Sequence, residues 1–320
     1  MPSAETIELI KVNSTIGKTS DLPISSTRST LISKLKALLL RLTGTANITN
    51  VYGTAQAAEL VATPNAPGAI ATDGTDLYVC SYLSEPAKVF KIDLEQFSVV
   101  ITLDLSSRVA NLWACVIVQR NLYIVTDETP ANLIKLDLDT FNEFTIAAIL
   151  PLSQPNARSI VSDGTDLYIG TLAGGIIKVN IGTFTETATL AVNSVHSLEV
   201  DDVYLYALNR ENPTRVTRIL LSSFTIDSAI VLGGMFGLGS AVYGNYLYIA
   251  SQLGVISKIN LNTFSVVSTL TTSTGYFEPV LGIDGTYLIV VGTTGNASLT
   301  YIELANFTEY GIYAIPAINN

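Results

Sequence analysis

Few residues in this chain could carry chemistry. There is one histidine, His196, in "NSVHSLEV", so a histidine-based metal cluster is excluded and any catalytic triad would depend on this single imidazole. No GxSxG elbow, GxxxxGK[ST] phosphate loop, HExxH or CxxC occurs, which removes the signatures of several hydrolase, nucleotide and metalloprotease chemistries. The acidic phrase "DGTDLY" at 73–78 returns unchanged at 163–168. A calcium loop alternates oxygen donors over about a dozen residues, whereas "DGTD" is short and its Asp-Gly suits the positive φ of a tight hairpin turn. What remains is a scatter of aromatic and charged residues in turn-rich segments: Trp113, Arg158, His196, Phe236, Tyr276, Phe277 and Glu278.

Whether these residues meet depends on the elements around them, and the chain has a strong internal beat. A Leu-aromatic or Leu-Ile step recurs at Leu77, Leu122, Leu167, Leu205, Leu247 and Leu288. A second phrase recurs about twenty residues on, in "KIDLEQF", "KLDLDTF", "KVNIGTF", "RILLSSF", "KINLNTF" and "YIELANF", ending at Phe97, Phe141, Phe184, Phe224, Phe264 and Phe307. Two independent phrases keep a spacing of 38–45 residues six times. Each unit reads as four short strands, the first unit as 68–73, 76–82, 88–94 and 98–105, rich in Val, Ile, Tyr and Thr between Gly, Asp and Pro. Four antiparallel strands per repeat of this length predict a six-bladed β-propeller over 61–320.

In such a ring the six phenylalanines and the tyrosines at 78, 123, 168, 206 and 248 are expected to pack between blades. The degenerate copies "DDVYLY", "YGNYLY" and "DGTYLI" mark the turn between first and second strands. The segments 106–114, 151–159, 193–197, 233–239 and 272–279 connect one repeat to the next and gather on one face, around the mouth of the central channel. The seven residues named above then form a candidate site for a sugar or small polar ligand, held by ring stacking and hydrogen bonds. The alternative is that Trp113 and Phe236 plug the channel and the charges are a solvated rim. Two strands compete to complete the last blade, 58–63 and 309–317, and the C-terminal one is favoured.

The phrases "DGTDLYIGTLAGGIIKVNIGTFTETATLAV" and "SKINLNTFSVVSTLTT" resemble the repeats of the YVTN- and NHL-like propeller proteins of bacteria, archaea and their viruses. The resemblance spans 66–318. It implies the propeller fold but no single activity, because such proteins serve as lactonases, surface-layer and adhesion proteins, dehydrogenases and scaffolds. A lactonase-type site would hold a metal among carboxylates, Asn and His in the mouth. Here only Glu278 and His196 are obvious candidates, so no catalytic, cofactor or metal residues are assigned.

Charge and composition bound the partners. Hydrophobic residues make up 48% and charged ones 14%, with net charge −10, which argues against a nucleic-acid surface. Residues 1–60 hold six Lys/Arg against four acids, about +2; the rest carries 17 − 6 = 11 basic and 27 − 4 = 23 acidic residues, or −12. A boundary near 60 follows. Within 1–60, "TRSTLISKLKALLLRLTG" (27–44) predicts an amphipathic helix with Leu31, Leu35, Leu38, Leu39 and Leu42 on one stripe, and the surrounding residues read as a polar arm. Docking on protein is the expected use, a membrane surface the alternative. No signal peptide or transmembrane run is evident, and Cys80 and Cys115 read as small buried apolar groups rather than a metal site or framework. Together these features lead to the expectation of a non-enzymatic structural or adhesion protein. It would be anchored by residues 1–60 to other proteins of a large assembly, most plausibly a tailed-phage virion, and would present the propeller to a host-surface glycan or protein. A lactonase or glycan-processing enzyme and a general interaction propeller are the alternatives.

Overall fold

A computed structural model of the chain describes residues 46–47, 59–60 and 67–314, the last span without 82–86, 95–97, 106–107, 141–145, 274, 276–278, 284 and 293–297. Among the described residues the chain forms six four-stranded antiparallel sheets, each made from four consecutive strands. The first blade takes Pro67–Thr72, Asp76–Ser81, Lys88–Asp93 and Ser98–Asp104, within a residue of the expected spans. The first strands of successive blades pack on one another and so form the inner wall of the ring. This is the six-bladed β-propeller that the repeats predict.

The competition for the last blade resolves in favour of the C-terminal strand, Thr308–Ala314, which pairs in register with Ser298–Glu303. The N-terminal candidate is corrected. Glu59–Leu60 pairs instead with Ala46–Asn47 in a separate two-stranded ribbon, because a full-length strand already occupies the outer edge that 58–63 would need. The predicted helix at 27–44, with Leu31, Leu35, Leu38, Leu39 and Leu42, lies outside the described residues.

The second strand explains how the blades hold together. Leu and Tyr are adjacent, so they point to opposite faces of the sheet. Tyr78 packs in one cluster with Leu122 of the next blade, Tyr123 with Leu167, Tyr168 with Leu205, Tyr206 with Leu247 and Tyr248 with Leu288. From the second blade to the sixth the Leu thus faces the preceding blade, and from the first to the fifth the Tyr faces the following one. All five tyrosines are fully buried. The core is a series of inter-blade interfaces, and the Leu-Tyr pair ties each of the second to fifth blades to both neighbours.

The phenylalanine of the third-to-fourth turn completes four of these interfaces. Phe184, Phe224, Phe264 and Phe307 all have φ between 45° and 55°, a left-handed backbone that a non-glycine residue adopts only where surroundings impose it. The ring centroids lie 5.8–6.4 Å from Tyr123, Tyr168, Tyr206 and Tyr248 of the preceding blades. Phe97 and Phe141 lie outside the described residues. Cys80 and Cys115 are free thiols in the first inter-blade cluster; a hydrogen bond with Cys115, with burial, pushes the Cys80 thiol well up.

The acidic turn does more than turn the chain. Asp163 Oδ1 accepts the amides of Thr165 and Asp166 at 2.9 and 2.8 Å, and its Oδ2 accepts the Tyr168 hydroxyl at 2.9 Å. Asp73 with Tyr78, and Asp201 with Tyr206, repeat the arrangement. Burial pushes the Asp163 carboxyl up, but these hydrogen bonds and Lys178 outweigh it and hold the group below its ordinary range. Burial and the Asp163 partner drive the Tyr168 hydroxyl far up in turn. The second acid of the phrase pairs with a third-strand lysine, Asp76 with Lys91 at 3.2 Å and Asp166 with Lys178 at 3.0 Å. In the fourth and fifth blades a tyrosine takes that position, and the cation lies over its ring instead. Arg218 is 4.4 Å from the Tyr204 centroid and Lys258 4.3 Å from that of Tyr246.

Candidate functional site

The residue before each of three inner strands has positive φ: Asn111, Asn156 and Ser194. Its carbonyl accepts an amide from the loop between second and third strands of the same blade, from Asp127, Leu172 and Arg210 respectively, at 2.8–3.0 Å. Amides also reach back to the preceding blade's loop, Asn156 to the Glu128 carbonyl at 3.1 Å and Phe236 to that of Glu211 at 3.0 Å. The two loop sets on this face are thereby laced into one rim.

Just inside the rim the inner strands of the first five blades each carry a β-bulge, whereas Val280–Ile283 of the sixth pairs without a register shift. Register shifts fall between Pro67 and Ala69, Leu112 and Ala114, Ala157 and Ser159, Val195 and Ser197, and Met235 and Gly237. The residues left over are Gly68, Trp113, Arg158, His196 and Phe236. Four of the seven residues picked from sequence therefore occupy one repeat position in four consecutive blades. The expectation that they lie in connecting loops is corrected: each is the second residue of an inner strand. A bulge bends the strand and re-aims the side chain it carries, which is how strand residues come to serve the mouth. Tyr276, Phe277 and Glu278 lie outside the described residues.

Three of the bulge side chains follow one another in an arc, the first two of them stacked. The Arg158 guanidinium lies 3.7 Å from the centroid of the Trp113 ring and is ion-paired to Asp127 at 2.7 Å. Asn156 Nδ2 donates to the other Asp127 oxygen at 3.0 Å, so the stack is held from two sides. Arg158 Nε is buried without a hydrogen-bond partner. One face of the indole is thus covered by a cation, which corrects the picture of Trp113 as an open platform for a sugar ring. The next residue of the arc, His196, is half-buried, and its Nδ1 bonds the Leu238 carbonyl of the following blade at 3.0 Å. A carbonyl only accepts, so Nδ1 carries the proton and Nε2 is an acceptor. Burial, with Arg210 and Arg158 nearby, lowers the His196 pKa to about 4.

Deeper in the wall, Ser240 donates to Glu199 at 2.9 Å and bonds Ser197 at 2.8 Å. These contacts tie the fourth and fifth blades on the channel side. Sequence reasoning missed Ser197, Ser240, Glu199 and Asp127, because nothing local marks a polar residue that meets its partner some 30 to 40 positions away, and it missed Arg210, which no motif marks. As chemistry, the arrangement positions an aromatic–cation stack and a neutral imidazole. An imidazole titrating near 4 is poorly matched to acid–base work near neutrality, and among the described residues no group of three His, Cys, Asp or Glu stands together to hold a metal.

No protein-family model matches the chain, and no curated protein matches it. The solved structures give a likeness of fold: the chain is similar to Kuenenia stuttgartiensis hydrazine synthase, with TM-score 0.63 and 15% identity over 74% of this chain and 76% of that one. At that identity the likeness shows the propeller-like fold and carries no activity across.

Proposed function

We infer that the chain is a non-enzymatic binding propeller whose channel mouth is the recognition surface and whose residues 1–60 attach it to a larger assembly. The observation that carries the reading is the arc itself. Trp113, Arg158 and His196 occupy the same bulge in three consecutive blades, while the residues around them differ. A packing position in this repeat keeps its residue type, as the Leu-Tyr pair and the turn Phe do. The bulge varies its side chain from blade to blade, as a recognition surface does. The ligand class is a sugar or other small polar molecule, met by hydrogen bonds along the edge of the Trp113–Arg158 stack.

The assembly proposed is a virion, with the protein in a tail, neck, fibre or decoration role and a host-surface glycan as its target. Support comes from the contrast between a roughly +2 segment at 1–60 and a −12 remainder, and from the polar arm and leucine stripe that precede the ring. A glycan array tests the mouth. The wild type is expected to retain a defined set of sugars and Trp113→Ala, folded to the same Tm, to lose them; unchanged retention in that variant would discard the reading.

A further inference from the structure

We propose that the mouth takes a sugar acid, a ligand that joins one carboxylate to neighbouring hydroxyls; the proposal rests on the mouth being the binding surface. The argument is one of charge accounting around His196. Each acid described on this rim has a partner. Asp127 holds Arg158 at 2.7 Å. Glu128 accepts the Ala110 amide and Asn132 Nδ2 at 2.9 and 3.2 Å, and Glu211 pairs with Arg215 at 3.4 Å. Arg210 is left over: it is half-buried, with no carboxylate partner among the described residues. Its own amide is fixed to the Ser194 carbonyl at 2.8 Å, two residues from His196.

A guanidinium with no carboxylate partner among the described residues, in a protein of net charge −10, is suited to receive an anion. The acids of the first-to-second-strand turns, Asp73, Asp76, Asp163, Asp166 and Asp201, lie at the other end of the strands, so they do not neutralise it. The neighbouring imidazole narrows the class. With Nδ1–H committed to Leu238, His196 offers Nε2 as an acceptor, and that atom needs an O–H or N–H donor from the ligand. A free sulfate ion supplies none, and a neutral sugar leaves Arg210 unmatched. A carboxylate beside hydroxyls satisfies both groups. A polyanion such as nucleic acid is disfavoured by the overall charge.

The test uses the full chain on an array of paired glycans that differ in one acidic group, 3′-sialyllactose against lactose, with free sialic acid and an acidic peptide as competitors. The acidic member is expected to bind at least tenfold more tightly than lactose. Free sialic acid should displace it, Arg210→Gln should lower its affinity roughly ten- to a hundredfold, and Arg210→Lys should restore part of that. If lactose and sialyllactose bind equally, the sugar-acid proposal falls and the mouth-binding reading stands, a comparison that needs no variant. Retention of no glycan, or displacement by the acidic peptide alone, overturns both.

Discussion

At the scale of single residues, the buried tyrosines give a matched pair of experiments. Tyr168 donates to Asp163, but the turn of the second blade is "QRN" and offers Tyr123 no carboxylate; its hydroxyl is buried with no hydrogen-bond partner among the described residues. Removing a charge-assisted hydrogen bond costs about 1.5–3 kcal/mol, whereas removing an unsatisfied buried hydroxyl is neutral or favourable. Tyr168→Phe should therefore lower stability by roughly 1.5 kcal/mol and Tyr123→Phe should leave it level or raise it, as read from urea denaturation. His196 gives a pH prediction. Its folded pKa of about 4 lies below the ordinary 6.5, so the unfolded chain takes up the proton first as pH falls. Stability is full above about 6.5 and is lost progressively down to about 4, by up to roughly 3 kcal/mol from this group. The variant His196→Gln should flatten that part of the profile. The sequence alone identified the Asp as a turn residue from Asp-Gly chemistry. The Tyr–Asp bond was hidden because it depends on where the hydroxyl of a strand residue ends up over the turn.

At the scale of strands and blades, close approach is the controlling feature. A Cβ on Gly239 would lie 2.5 Å from the Pro279 carbonyl oxygen and 2.5 Å from Leu281 Cδ1 of the sixth blade. Backbone cannot yield as a side-chain tip can, so Gly239→Ala should push the fifth and sixth blades apart at a cost of about 1–3 kcal/mol. Gly182→Ala, whose nearest neighbour is 3.4 Å away, should be nearly neutral, and thermal melts of the two decide the matter. The bulges show why the mouth was only half legible. Period-two reasoning follows a regular strand, and one extra residue resets it. Residue type marks Trp113, Arg158, His196 and Phe236, but regular strand periodicity places them in loops. The available signal was the Asn or Ser with positive φ just before the strand, at Asn111, Asn156 and Ser194.

At the scale of the whole molecule, the ring was legible because two phrases kept one spacing six times and each repeat of that length holds four segments of strand composition. How the last blade is completed was less so: two segments with strand composition competed, and the observed pairing of Thr308–Ala314 with Ser298–Glu303 supports the favoured C-terminal one. The division of labour proposed for 1–60 and the propeller makes its own prediction. Deleting residues 1–45 should leave a folded, soluble propeller with unchanged mouth binding that no longer enters its assembly; an unfolded product would tie that segment to the core instead. The central claim is that the rim holding Trp113, Arg158 and His196 recognises the ligand, and hydrogen exchange with the best-retained glycan of the array tests it most directly. The account predicts protection at 108–114, 156–159, 194–197 and 210–214, with none at the acidic turns 73–76, 163–166 and 201–204. Protection at those turns with the rim unchanged would contradict it.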